Sequence, residues 1–212
     1  MKRSASSGRY SRRGYHHGNL KEALKAAAKQ LILEKGPQGF SLVEAARYAK
    51  VSPAAPYRHY KDRDALLRDI AETGFQRFSE DLQRAWQEGT PDALTALKRV
   101  SHAYIDFAFQ EKAYYQTMFG ARLRQAGETE KAKNAGETAF QNLLTMVQAL
   151  KDESGSRLDI DVEEVALHIW SFSHGIATLF SQDSDTRSFD PAHLLENGVS
   201  TYLRGLARNE ST

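Results

Sequence analysis

The 212-residue chain has no cysteine, only 5 prolines and 3 methionines, and no apolar run near the roughly 18 residues that cross a bilayer as a helix. Without cysteine there is no disulfide framework, no thiolate zinc site and no thiol nucleophile, and nothing points to an oxidising compartment. The N-terminus lacks the apolar centre of a secretory signal. A cytoplasmic protein with no membrane association is expected. No Gly-rich phosphate loop and no ordered set of nucleophile, base and carboxylate is found, so an enzyme is not expected, nor a cofactor. Glu164 and His168 lie four apart on an expected helix, but two metal-ligand types without a third leave no metal site.

What is present is a core-forming composition, 41% hydrophobic and 26% charged, with its charge segregated along the chain. Residues 1–68 carry 15 Lys/Arg against 5 Asp/Glu, a surplus of +10; residues 69–212 carry 14 against 22, or −8. A basic end beside an acidic body fits one module meeting a polyanion while the other does not. On charge alone, a membrane surface and a nucleic acid fit equally. Residues 1–17, rich in Arg and Ser, read as a disordered basic arm. Within it Arg12, Arg13, His16 and His17 are either a solvated tail or contacts to phosphates and the minor groove.

Helical periodicity dominates the rest. Leu20, Leu24, Ala27 and Leu31 mark a first helix capped by Asn19 and ended by Gly36-Pro37. Ser41 and Glu44 form a capping box for a short second helix with Ala45, Ala46 and Ala49 on one face. After a break at Lys50-Val51, Ser52 and Pro53 read as the cap and first position of a third helix, AAPYRHY. Asp62 opens a long helix running to Gly89. Thr90-Pro91 starts another with Leu97, Val100, Tyr104 and Phe107 in step. Further helices carry Phe140 to Leu150, Val165 to Leu179 (opened by Asp161 and Glu164) and Leu195 to Leu206 (opened by Asp190-Pro191), with KDESGSRLD read as a loop. The fold class is all-α, about nine helices. It comprises a three-helix module at 18–77, joined by the long helix to a helical bundle at 78–212.

Two short helices joined by a tight turn and backed by a third make a helix-turn-helix, whose second helix enters the major groove. The segment GFSLVEAARYAKVSPAAPYRHYKDRDALL at 39–67 resembles the TetR family of bacterial transcriptional regulators. IWSFSHGIATLF at 169–180 resembles a family C-terminal domain type named for Trp, His and Gly, here Trp170, His174 and Gly175. The resemblance implies that Ser41, Val43, Ser52, Ala54 and Ala55 approach base edges or adjoining phosphates. It also implies that Tyr57, His59, Lys61 and Arg63 grip phosphates, with Arg58 in the same DNA-binding block. Read by itself, Tyr57 fits a core aromatic as well. Pro56 departs from the family pattern, which more often has Leu or Ile there, and its missing N–H distorts the helix start.

The C-terminal aromatics Tyr104, Phe107, Tyr115, Phe119, Trp170 and His174 are candidates for an apolar effector pocket, with ordinary core as the alternative. The resemblance further implies a homodimer built by the last two helices, on a palindromic double-stranded operator. Release by a small-molecule effector would follow, with the long helix as transmitter. A second reading has the DNA-bound protein act through a protein partner.

Overall fold

Leu24, Ala27, Ala28, Leu31 and Ile32 recur on one face of helix α1, Leu20–Lys35, and are buried there. Eight α-helices and two short 3-10 segments, with no strand, make up the regular structure of the residues this computed structural model describes: 20–120, 130–155, 160–181 and 189–208. The expected cap Asn19 and the basic arm lie outside them. Gly36 ends α1 with φ +76, its N–H bonded to the Ile32 carbonyl at 2.8 Å.

Helix α2, Leu42–Tyr48, starts at the expected capping box. Glu44 N–H donates to Ser41 Oγ at 3.2 Å, and the Ser41 N–H donates to Glu44 Oε2 at 2.8 Å. The helix ends in a Schellman pair, Val51 N–H to Ala46 O and Lys50 N–H to Arg47 O, both at 3.0 Å. Lys50 occupies the left-handed position, φ +57, which normally favours glycine. Lys50→Gly is therefore expected to raise stability by about 1 kcal/mol, the lower end of what a side chain in the left-handed region costs. Thermal unfolding that shows no gain would contradict this account of the turn.

The third element differs from expectation. In place of an α-helix opening at Ser52-Pro53, residues Ala55–Arg58 form a single 3-10 turn. The cause is Pro56. An α-ladder would need a Pro56 N–H to reach the Ser52 carbonyl, and proline has none. The Ser52 carbonyl instead accepts Ala55 N–H at 3.0 Å, three residues on. The Pro56 ring is buried and anchors the turn.

Helix α3, Arg63–Trp86, is capped by Asp62, whose Oδ1 accepts Ala65 N–H at 2.7 Å. It runs unbroken past residue 77 and ends at left-handed Gln87. Helix α4, Ala93–Gln110, is capped by Asp92, which accepts Thr95 N–H at 2.8 Å; the start expected at Thr90-Pro91 is moved by that carboxylate. Helix α5, Lys112–Met118, follows an elbow at Glu111. Helix α6, Glu130–Ser154, continues through Lys151 to Ser154, where a loop was expected. Tertiary bonds hold that turn: Glu153 accepts Ala93 N–H at 2.7 Å, and Lys151 donates to the Ile160 carbonyl at 2.7 Å. Helices α7, Val162–Ser181, and α8, Pro191–Arg208, begin where Asp161 and Asp190 accept backbone N–H groups.

Helix α3 is the axis, packed by α4, α5 and α6, while α8 lies across α4 and α7. The close approach of α5 depends on Gly74, where a Cβ would fall 2.7 Å from Met118 Sδ and 3.2 Å from Tyr114 Cβ. Phe78, 0% exposed, fills the centre.

Candidate DNA-reading face and aromatic cluster

Most cations of the N-terminal module are committed to partners within the chain. Lys21 pairs with Asp69 at 3.0 Å, Lys25 with Glu22 at 2.7 Å and Lys35 with Glu44 at 2.9 Å. The Lys35 bond, followed by the Ser41 backbone N–H, holds the Glu44 carboxyl at about 2. Arg47, Arg58 and Lys61 are exposed and have no ion-pair partner among the described residues. All three lie on the helix-turn-helix. The uncommitted positive charge is thus concentrated on one element, where a polyphosphate would release its counterions.

Each residue expected from the sequence to meet DNA falls in or beside that element. Ser52, Ala54, Tyr57, Arg58, His59 and Lys61 are exposed, whereas Val43 and Ala55 are half-buried. Tyr57 is 56% exposed, which removes the core reading. The aromatic that enters the core is Tyr60, its hydroxyl donating to Asp69 Oδ2 at 2.6 Å and tying the turn to α3. Burial pushes the Tyr60 phenol well above the usual tyrosine range, and the bond to Asp69 adds to this. Burial alone would raise Asp69, but the Tyr60 hydroxyl and then Lys21 outweigh it and lower its pKa.

Two expected contacts are engaged within the chain. Ser41 Oγ serves the capping box. Arg63 donates to the Gln38 carbonyl at 3.2 Å, to Gln38 Oε1 at 3.0 Å and to Asp64 at 2.9 Å, fastening the loop before α2.

In the C-terminal module, Tyr104, Tyr115, Phe119, Trp170 and His174 meet in one cluster, edge against face. The Tyr104 hydroxyl is hydrogen-bonded to His174 Nδ1, which also lies 3.1 Å from the Tyr115 hydroxyl. Burial pushes Tyr104 well above the ordinary phenol value, with Tyr115 adding to it, and burial raises Tyr115 too. Both therefore stay neutral. Phe107 stands apart from the polar centre, packed against Phe78 at 5.1 Å.

The nearby cavity, between α3, α4, α6 and α7, touches only Tyr104 and Trp170 of the six candidates. It offers about 20 Å³ to the centre of a water-sized sphere, room for about one water. Among the described residues no group of three His, Asp or Glu is placed to hold a metal, and no helix is long and apolar enough to cross a membrane.

The family model for bacterial regulatory proteins of the tetR family matches residues 24–70, and the model for the tetracyclin repressor-like C-terminal domain matches residues 97–202. The chain belongs to the TetR family. This TetR-family regulator is 23% identical over 192 residues to the uncharacterized HTH-type transcriptional regulator YobS of Bacillus subtilis (strain 168), covering 91% of this chain and 95% of that protein. A Rhodococcus sp. RHA1 protein of unknown function is 31% identical, with a TM-score of 0.77 over 92% of this chain and 100% of that one. The TetR-family regulator PfmR from Thermus thermophilus shares the fold at 20% identity, with a TM-score of 0.70 over 87% of this chain and 98% of its own. Regulation of transcription through a DNA-binding helix-turn-helix is the function this membership gives the chain.

Arg47 of the TetR-family regulator was not among the residues expected to meet DNA, although its place in the last turn of α2, beside the break at Lys50-Val51, was readable. Nor were Ser101, Asn142 and Ser173, which line the cavity, among those expected at an effector pocket. A signal existed for the two serines, since each interrupts an otherwise apolar stripe, Leu97 to Tyr104 and Ile169 to Ala177.

Proposed function

We propose that the chain is a cytoplasmic, ligand-responsive repressor that binds a palindromic operator as a homodimer and is released by a small, largely apolar effector. The observation that carries this reading is the position of α5 between the aromatic cluster and the DNA-binding module. Neighbouring residues on α5 face opposite ways. Tyr115 joins His174 in the cluster, while the Tyr114 ring lies 4.0 Å from Lys29 Nζ of α1 and 5.3 Å from the Arg77 guanidinium of α3. Glu111, at the α4 to α5 elbow, pairs with the same two cations at 3.6 and 3.4 Å. A ligand that rearranges the cluster moves α5, and with it the seat of α1 as well as the long α3. The effector's influence is limited to its differential affinity for the two arrangements.

Dimerisation through α7 and α8 is supported by exposed large apolar side chains on both helices, Leu167 and Leu179 on α7, 50% and 55% exposed, and Leu194 on α8. A two-fold pair would set two recognition turns about 34–36 Å apart, one turn of a palindromic site.

On the DNA side, Ser52, Ala54 and Ala55 meet base edges, and the two alanines offer apolar contact such as to a thymine methyl. Tyr57, Arg58, His59 and Lys61 supply phosphate contacts, which set affinity without reading sequence. Tyr57→Ala is expected to weaken binding to every duplex by about 5–10-fold, the worth of one hydrogen bond. Ala54→Ser should instead change the ranking of operator variants by roughly ten-fold. Gel shifts on the chain's own upstream DNA and on scrambled duplexes separate the two. The same assay tests the reading as a whole, since no preference for the upstream DNA at moderate salt would overturn it.

A further inference from the structure

We propose that the cavity between α3, α4, α6 and α7 takes a small neutral molecule with a hydroxyl on an apolar body, an alcohol or phenol, and rejects the matching carboxylate. The proposal rests on the effector reading above and names the chemistry of its ligand. The walls are mainly apolar, led by Leu82, Met146 and Ile169, and they include no Lys, Arg or His. A buried carboxylate would find no counter-charge there, and an uncompensated buried charge is driven out or neutralised.

The polar lining sharpens this. Ser101 Oγ donates to the Leu97 carbonyl at 3.0 Å, and Ser173 Oγ donates to the Ile169 carbonyl at 2.8 Å. Each serine has used its proton on its own helix, so only oxygen lone pairs remain for a ligand. The Tyr104 hydroxyl is engaged with His174. Asn142 Nδ2 donates to Ser79 Oγ at 2.8 Å, leaving one amide hydrogen. That amide hydrogen is one neutral donor beside two serine acceptors. A hydroxyl both donates and accepts and satisfies such a wall; a carboxylate only accepts and meets the serine lone pairs. As it stands the cavity has room for about one water, so the ligand enters only where a wall gives way, and Met146, unbranched with three rotatable bonds, is the side chain best suited to yield.

The test uses the full chain with phenol, benzoate and toluene as probes at neutral pH. Binding is read by calorimetry and by the rise in melting temperature, on the wild type and on Met146→Ala. Phenol is expected to bind at least ten-fold more tightly than benzoate, and more tightly to Met146→Ala than to the wild type. Replacing both serines, Ser101→Ala with Ser173→Ala, should weaken phenol about 5–10-fold, the worth of one or two hydrogen bonds, and leave toluene unchanged. Alanine keeps both helices intact, and the ligand-free melting temperature checks that it does. Benzoate binding as tightly as phenol overturns the proposal, as does a phenol-to-toluene ratio that ignores the serines, or no probe binding to Met146→Ala. A parallel gel shift distinguishes the underlying reading. Phenol binding that leaves operator affinity unchanged counts against the effector reading and supports the ligand chemistry. Release of the operator by benzoate does the reverse.

Discussion

Phe78→Ala is expected to destabilise the protein by about 3–5 kcal/mol and to lower its melting temperature by roughly 10 °C. Phe78 is fully buried on α3. Its ring meets Tyr104 at 5.2 Å, Phe107 at 5.1 Å, Phe119 at 6.3 Å and Trp170 at 6.4 Å, each near-perpendicular or tilted. Removing it leaves a hole bounded by α4, α7 and the Phe119 segment. Aromatic edges lose their partner face along with the buried area, so the loss exceeds simple transfer. These neighbours cannot collapse inward, because α5 already presses on α3 at Gly74. Phe109→Ala on the exposed side of α4 is the control, with a cost within about 0.5 kcal/mol as for ordinary surface changes. Equal melting temperatures for the two variants would show that Phe78 is not the hub described here.

Much of this architecture was readable before any coordinates. Capping signals located α2 and α3 because a Ser41–Glu44 box or an Asp62 cap acts within one turn and needs no tertiary partner. Of the six residues expected at an effector pocket, five meet in one cluster and Phe107 packs against Phe78 instead. What stayed hidden depended on distant residues. Helix α6 extends to Ser154 because Glu153 caps α4, 60 residues away. The cavity is displaced from the predicted aromatics because those rings fill their own space, leaving room only beside Ser101, Asn142 and Ser173. The recognition element is an intermediate case. Pro56 signalled distortion, but reduction to a 3-10 turn follows only from the Ser52 carbonyl finding Ala55 as its donor.

That shortened turn gives the proposed dimer a larger part to play. One 3-10 turn with two alanines at its start offers little direct readout, and the proposed dimer would add to it by pairing two such turns on one duplex. The outer face of α7 and α8 carries Gly175, Gly198 and Gly205, and a Cβ added at any of them would meet nothing within 4 Å. Within one protomer there is thus no steric reason for glycine, and each costs its helix about 0.5–1 kcal/mol relative to alanine. Close approach by a second copy, as in the proposed dimer, would supply the reason. Gly198→Arg is therefore expected to leave the protomer as stable as before, or slightly more so, while dissociating the dimer, since a two-fold interface receives the substitution twice. Operator affinity should fall by about 100-fold or more, the gain that linking two sites ordinarily provides. Gly198→Ala, adding only a methyl, should dissociate the dimer far less. Sedimentation velocity at micromolar concentration and gel shifts on the full and half operator check the series. A Gly198→Arg protein that remains dimeric with undiminished operator affinity would place the dimer interface elsewhere than on α8.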